Sequence, residues 1–260
     1  MPLALTAVAA AMLALMPDSF FTVFAAIIGL CFGSFAGVVV YRIPRGESVV
    51  RPRSHCPRCG AFLKWRDMVP IVSWLALRGR CRTCDGAVGP RYLMMEITCA
   101  VLFVLMAGHT GISFNVIPLW CLAFVLLCVG VVDFDTMEIP DGLLLFGALA
   151  GVAWGVLVYD LIGWVDALLG VAAGALPLWV LDRAVWLVAK KPGFGFGDVK
   201  LMGMAGLFLG WQGVVAAYFV AFVAGGIFGV FLMVSGRAER GSYLAFGPFL
   251  ALGVLVAMLN

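Results

Sequence analysis

The sequence predicts an all-α, polytopic membrane protein of about eight transmembrane helices, carrying a small cytoplasmic zinc-binding loop domain. Three observations predict it. Of 260 residues, 64% are hydrophobic and 12% charged, about half the roughly 25% of charged residues usual in soluble domains. Apolar runs that approach the roughly 20 residues needed to cross a hydrocarbon core recur along the chain. Four of the eight cysteines stand as two C-x-x-C pairs within one basic loop. The mean hydropathy of +1.10 leaves too few polar residues to clothe a water-soluble globule. A disordered chain is excluded by the same composition, and the 32 glycines follow no collagen period. The net charge of +3 argues against nucleic acid as a partner, and lipid is the expected surroundings.

In chain order, residues 1–18 form an apolar lead-in that ends at Pro17-Asp18 and lacks a basic start. It reads as a surface-lying segment rather than a cleaved signal peptide. Apolar spans follow near 19–41, 92–108, 114–132, 142–159, 165–189, 199–211, 213–235 and 243–259. The sixth is short and rich in Gly and Met. The expected organisation is the lead-in, a first transmembrane helix at 19–42, a tetracysteine domain at 43–91, and a seven-helix transmembrane bundle at 92–260.

Charge sets the orientation. Between Arg42 and Arg91 lie eleven of the seventeen basic residues, opposed there only by Glu47, Asp67 and Asp85. A loop this short obeys the positive-inside rule and is placed in the cytoplasm. Alternation then puts 133–141, 190–198 and 236–242 on the same side, in or beside which every other Lys and Arg falls. The opposite loops carry none. Both termini are expected outside.

Cys31, Cys99, Cys121 and Cys128 lie inside apolar spans, where a free cysteine behaves as a small hydrophobe. Cys56-Pro57-Arg58-Cys59 and Cys81-Arg82-Thr83-Cys84 are different. Two knuckles separated by 21 residues have the spacing of a four-thiolate zinc site. Disulfides fit poorly in a reducing compartment, and a redox motif would need a βαβ context. Four sulfurs leave no open coordination position, so the metal is expected to be structural. His55, beside the first knuckle, reads as a solvated loop residue.

Acids at a membrane border are functional candidates. One cluster is Asp133-Phe134-Asp135-Thr136-Met137-Glu138-Ile139-Pro140-Asp141, and the other is Asp198 after Gly193-Phe194-Gly195-Phe196-Gly197. The topology puts both at one membrane depth, so they can converge. Two carboxylates in a partly dry site share one proton, which allows one to activate water while the other polarises a peptide carbonyl. The glycines before Asp198 leave room for a substrate backbone. Glu138 and Asp141 read as helix-end anchors or caps. Asp133 and Asp135 differ by roughly 200° on a helix, so both cannot face Asp198. Residue physics alone leaves three classes open: a protease, a proton-coupled transporter, and a membrane-anchored zinc module that only binds partners.

The motifs together resemble the type IV prepilin peptidases, the prepilin leader peptidase/N-methyltransferases. The likeness rests on Gly33-Ser34-Phe35 with Val38 to Pro44, on Pro52 to Cys59, and on Pro70 to Leu75 with Leu77 to Cys81. It continues through Arg91-Tyr92 with Glu96, the Asp133 to Asp141 segment, Gly195 to Lys200, and Gly247-Pro248. Gly37 stands where the family usually has Asn, and Leu93 where a Pro commonly follows Arg-Tyr. Both fall in the part that the family associates with methyl transfer. The resemblance implies an enzyme of the bacterial inner membrane, a hydrolase and transferase serving type IV pili or protein secretion. It would remove the basic leader of prepilins and pseudopilins at the cytoplasmic face, then methylate the new N-terminus with S-adenosylmethionine. It implies Asp133 and Asp198 as the catalytic pair, with Asp135 in reserve, and Cys56, Cys59, Cys81 and Cys84 as zinc ligands. No methyl-donor site can be read from the motifs.

Overall fold

The computed structural model describes residues 18–159, 161–190, 195–236 and 244–259. Residues 1–17 of the lead-in at 1–18 and parts of two short loops, 191–194 and 237–243, lie outside the described residues. In lipid a backbone has no water to bond, so each apolar segment must satisfy its own N–H and C=O groups, and helices result. They are α1 (Asp18–Arg42), a short α2 (Val72–Ala76), α3 (Arg91–Thr110), α4 (Val116–Thr136), α5 (Asp141–Val158), α6 (Leu161–Ala189), α7 (Phe196–Val234) and α8 (Gly247–Met258). Six of them, α1 and α3 to α7, are long and apolar enough to cross a membrane.

The difference from the predicted eight lies at the C-terminal end. The predicted spans at 199–211 and 213–235 appear as one element, α7, broken at Gly210 (φ 62°, ψ −177°). The chain doubles back there. A side chain at Gly174 would collide with the Met202 carbonyl, while the Tyr218 hydroxyl donates to the Gly174 carbonyl. Met202 and Tyr218 would stand about 24 Å apart on a straight helix. Both can reach Gly174 only if α7 is two antiparallel arms. The left-handed φ at Gly210 is the turn, where other residues are strained. With α8, only 12 residues long, the described residues hold eight apolar helical segments.

The chain divides into two compact units, residues up to Phe124 and residues from Val125. In the first, α1 and α3 run antiparallel with their backbones nearly touching. A Cβ at Gly29 would lie 2.6 Å from Ala100 Cα, and one at Gly33 2.5 Å from Glu96 Cα. Small residues four apart are what permit such approach between membrane helices. Trp120 stacks on Phe103 at 5.1 Å and donates its indole N–H to the Phe103 carbonyl at 2.9 Å.

In the second unit the same device recurs. Gly170 and Gly206 place α6 against the first arm of α7 with no room for a side chain on either. Gly147 meets Met204, and Gly151 meets Leu207 and Phe208, so α5 runs parallel to that arm. Gly253 lies against Ala217, and Gly225 against Phe246, so α8 runs antiparallel to the second arm. These registers bring the start of α5 beside the start of α7. Lys200 Nζ pairs there with Asp141 Oδ1 at 2.7 Å.

Candidate functional site

Asp133 lies one turn before the end of α4, and Asp198 in the first turn of α7. Among the described residues only four charged residues are buried as whole residues, and these are two of them, at 5% and 7% exposure. Gly247, which opens α8, donates its backbone N–H to Asp133 Oδ2 at 2.8 Å. Gly195, in extended conformation at the start of α7, donates to Asp198 Oδ2 at 3.2 Å. Asp198 Oδ1 is buried and has no hydrogen-bond partner among the described residues. A buried carboxylate oxygen left unpaired is costly, and it marks a place where water or a ligand group belongs. Asp133 lies close enough for its charge to act on Asp198.

The structure therefore buries Asp133 within electrostatic reach of Asp198 and leaves Asp135 on the exposed side of α4. Glu138 is exposed as well. Asp141 opens α5 and makes no cap, its carboxylate being paired with Lys200. One expectation changes: Gly197 does not leave space for a substrate backbone. A Cβ there would lie 2.8 Å from Ile139 Cβ, so Gly197 lets the Asp133–Asp141 segment pack against the start of α7. Gly195 is open apart from Asp198 itself, and Gly193 lies outside the described residues.

One participant could not be found from residue types: the Gly247 N–H is a backbone group without a side-chain signature.

The second candidate site is local. The two knuckles fold alike: Cys56 N–H bonds the Ala61 carbonyl and Cys81 N–H the Gly86 carbonyl, while His55 pairs with Phe62 and Arg80 with Ala87. Each turn closes with a positive φ, at Gly60 (70°) and Asp85 (54°). The four Sγ atoms all lie within 4.8 Å of one another, and Cys56 and Cys84 are 4.0 Å apart. A tetrahedron with arms of about 2.3 Å has edges of about 3.8 Å, so the donor set fits a metal ion. Backbone N–H groups of Cys84 and Thr83, turned to its sulfur, push the Cys81 thiol down to about 6. At Cys84 the Gly86 N–H pulls the same way, but the crowd of sulfurs, Cys59 foremost, holds the thiol up at about 11. A divalent cation resolves that conflict by taking all four as thiolates. His55 is no part of this set, its Nδ1 lying 3.2 Å from the Arg53 carbonyl oxygen. Arg82 reaches across to Asp67 at 2.7 Å, and that hydrogen bond holds the Asp67 carboxyl below its ordinary range.

Comparison with known proteins matches residues 27–110 to the Bacterial Peptidase A24 N-terminal domain and residues 120–230 to the Type IV leader peptidase family. The chain is 36% identical over 219 residues to the prepilin leader peptidase/N-methyltransferase of Myxococcus xanthus, covering 84% of this chain and 65% of that relative, just under two thirds of its length. It is 33% identical over 270 residues to the protein of that name from Pseudomonas putida, covering 94% and 92%. The Pseudomonas aeruginosa relative is 33% identical over 260 residues, covering 90% and 88%. No solved structure matches the chain significantly.

Proposed function

The chain belongs to the type IV leader peptidase family, and we propose that it works as a membrane aspartyl endopeptidase and methyltransferase. In this reading it removes the basic leader of type IV prepilins and pseudopilins, then methylates the new N-terminal amine with S-adenosylmethionine. The observation that carries the protease is the pair Asp133 and Asp198: two buried carboxylates, one with an orphaned oxygen. With a single proton between them, the ionised acid takes a proton from water and the protonated acid donates to the scissile carbonyl. The tetrahedral intermediate then collapses as its C–N bond breaks: the acid that took the water proton gives it to the leaving amine, and a hydroxyl of the intermediate returns a proton to the other carboxylate. Asp135, exposed on α4, is the reserve for Asp133. The active site and the 43–91 domain are assigned to the cytoplasmic side, because the basic residues cluster there. Residues 92–260 supply the transmembrane bundle that carries the acids. Cysteine-accessibility mapping tests that side: labelling at Val50 from the outer face would overturn it.

The function is tested by incubating membranes containing the protein with a prepilin and S-adenosylmethionine, reading masses. The expected products are a shortened pilin and its methylated form; an intact leader would sink the proposal.

We assign zinc to Cys56, Cys59, Cys81 and Cys84, because the sulfur spacing fits it and a loop this small has little core of its own. Purified protein should contain about one zinc per chain. Cys81→Ser should lower that content and leave residues 43–91 open to protease. A metal-free loop that resists protease equally well would refute the structural zinc.

A further inference from the structure

The two other buried charged residues, Arg42 (4% exposed) and Glu96 (8%), lie in the first unit, far in sequence from the aspartate pair. Both line one cavity of about 490 Å³, with Tyr41, Trp74 and Tyr92 also in its wall. That volume falls in the roughly 300–1,000 Å³ range of small-molecule sites. Arg58, Arg80, Arg82 and Asp67 line it as well, but of the charged residues in the wall only Arg42 and Glu96 are buried, and this buried pair beside aromatic rings suits a ligand that carries a cation, a carboxylate and a planar base.

The wall is held in place. Glu96 stands one turn after Tyr92 on α3, so the two share a face. Its Oε2 accepts the Ile71 N–H at 2.7 Å. Ile71 has φ 59°, a costly conformation for a β-branched residue, and one that tends to persist where surrounding structure serves a site. Ile71 leads directly into α2, which carries Trp74. The Trp74 indole donates to the Val88 carbonyl at 3.2 Å, and its ring lies 2.9 Å from where a Cβ of Gly79 would stand. Arg42 gives two hydrogen bonds, to the Ser48 and Arg53 carbonyls, of the five its guanidinium can donate. Gly37, the departure from the family pattern, has its use here. A Cβ at that position would lie 2.9 Å from the Tyr92 ring, so glycine lets that ring close onto α1.

We infer that this cavity is the methyl-donor site, with Glu96 the counter-charge for the sulfonium of S-adenosylmethionine, Arg42 that for its carboxylate, and the rings a stacking surface for its purine. The inference rests on the methyl-transfer reading above. A sulfonium is attracted both by a carboxylate in a sheltered space and by aromatic faces.

The test is donor binding by the full zinc-loaded chain in detergent, measured by calorimetry with S-adenosylmethionine and with S-adenosylhomocysteine, which lacks the sulfonium charge. Glu96→Gln keeps an acceptor for Ile71 and removes the charge. It should weaken the sulfonium ligand at least about tenfold while weakening the neutral one less. Ser34→Leu, which places bulk in the cavity wall, should weaken both, with zinc content as the check on folding. Unchanged binding in both variants would overturn the cavity assignment alone. Absence of donor binding by the unsubstituted protein would overturn the methyl-transfer reading together with it.

Discussion

Asp198→Asn and Asp133→Asn are each expected to abolish leader cleavage while the chain stays folded, zinc-loaded and able to methylate a pilin already cleaved. Asparagine keeps the shape of the acid. At 133 its carbonyl oxygen can still accept the Gly247 N–H, now 2.8 Å from Asp133 Oδ2, and at 198 it can accept the Gly195 N–H. What it cannot do is hold a charge that activates water or give a proton to the scissile carbonyl. Loss of general acid or base function costs roughly 10²–10⁴-fold in rate. Because the carboxylates act as one unit, the double variant should be no worse than either single one. The measurement is the mass of a prepilin after incubation, with a cleaved pilin supplied separately to follow methyl transfer. Cleavage that survives Asp133→Asn but is lost in Asp135→Asn would move the role to the second acid. Cleavage that survives Asp198→Asn would refute the two-carboxylate mechanism.

The choice between Asp133 and Asp135 shows where the sequence stops being legible. Their spacing says that one must turn away, because two steps along a helix rotate by roughly 200°. Which one turns inward depends on what packs against α4, and the deciding group is the backbone of Gly247, 114 positions away. The cysteine knuckles were readable because the hydrogen bonds that shape each turn lie within a few residues. The helices were readable because lipid makes backbone satisfaction local. The fold-back in α7 was half readable: the break near 211–213 was visible, but only the packing of Gly174 against both arms reveals the reversal at Gly210. Gly197 was misread for a similar reason. A glycine announces that something comes close, and the sequence does not say whether it is substrate or Ile139. The cavity at Glu96 draws its wall from α1, α2 and α3, so no single stretch of sequence displays it.

Gly247→Ala is expected to lower leader cleavage about 100-fold, the usual penalty for displacing a catalytic group by about 1 Å. A Cβ at that position would stand 2.7 Å from Asp133 Oδ2 and 2.9 Å from its Cγ. Contacts that short do not persist, so either the carboxylate swings aside or α8 backs away. The helix has little freedom to retreat, since Gly253 lies against the backbone of Ala217 on the second arm of α7. The carboxylate therefore yields, losing the Gly247 N–H and its alignment with Asp198. Nothing in this change touches the zinc loop, so metal content should stay normal. Gly226→Ala, where a Cβ meets nothing within 4 Å, is the matched comparison on the neighbouring arm of α7 and should cleave normally. Rates are compared per folded molecule, taken from thermal unfolding of each purified variant. Unimpaired cleavage by folded Gly247→Ala would mean that the hydrogen bond from α8 does not set the position of Asp133.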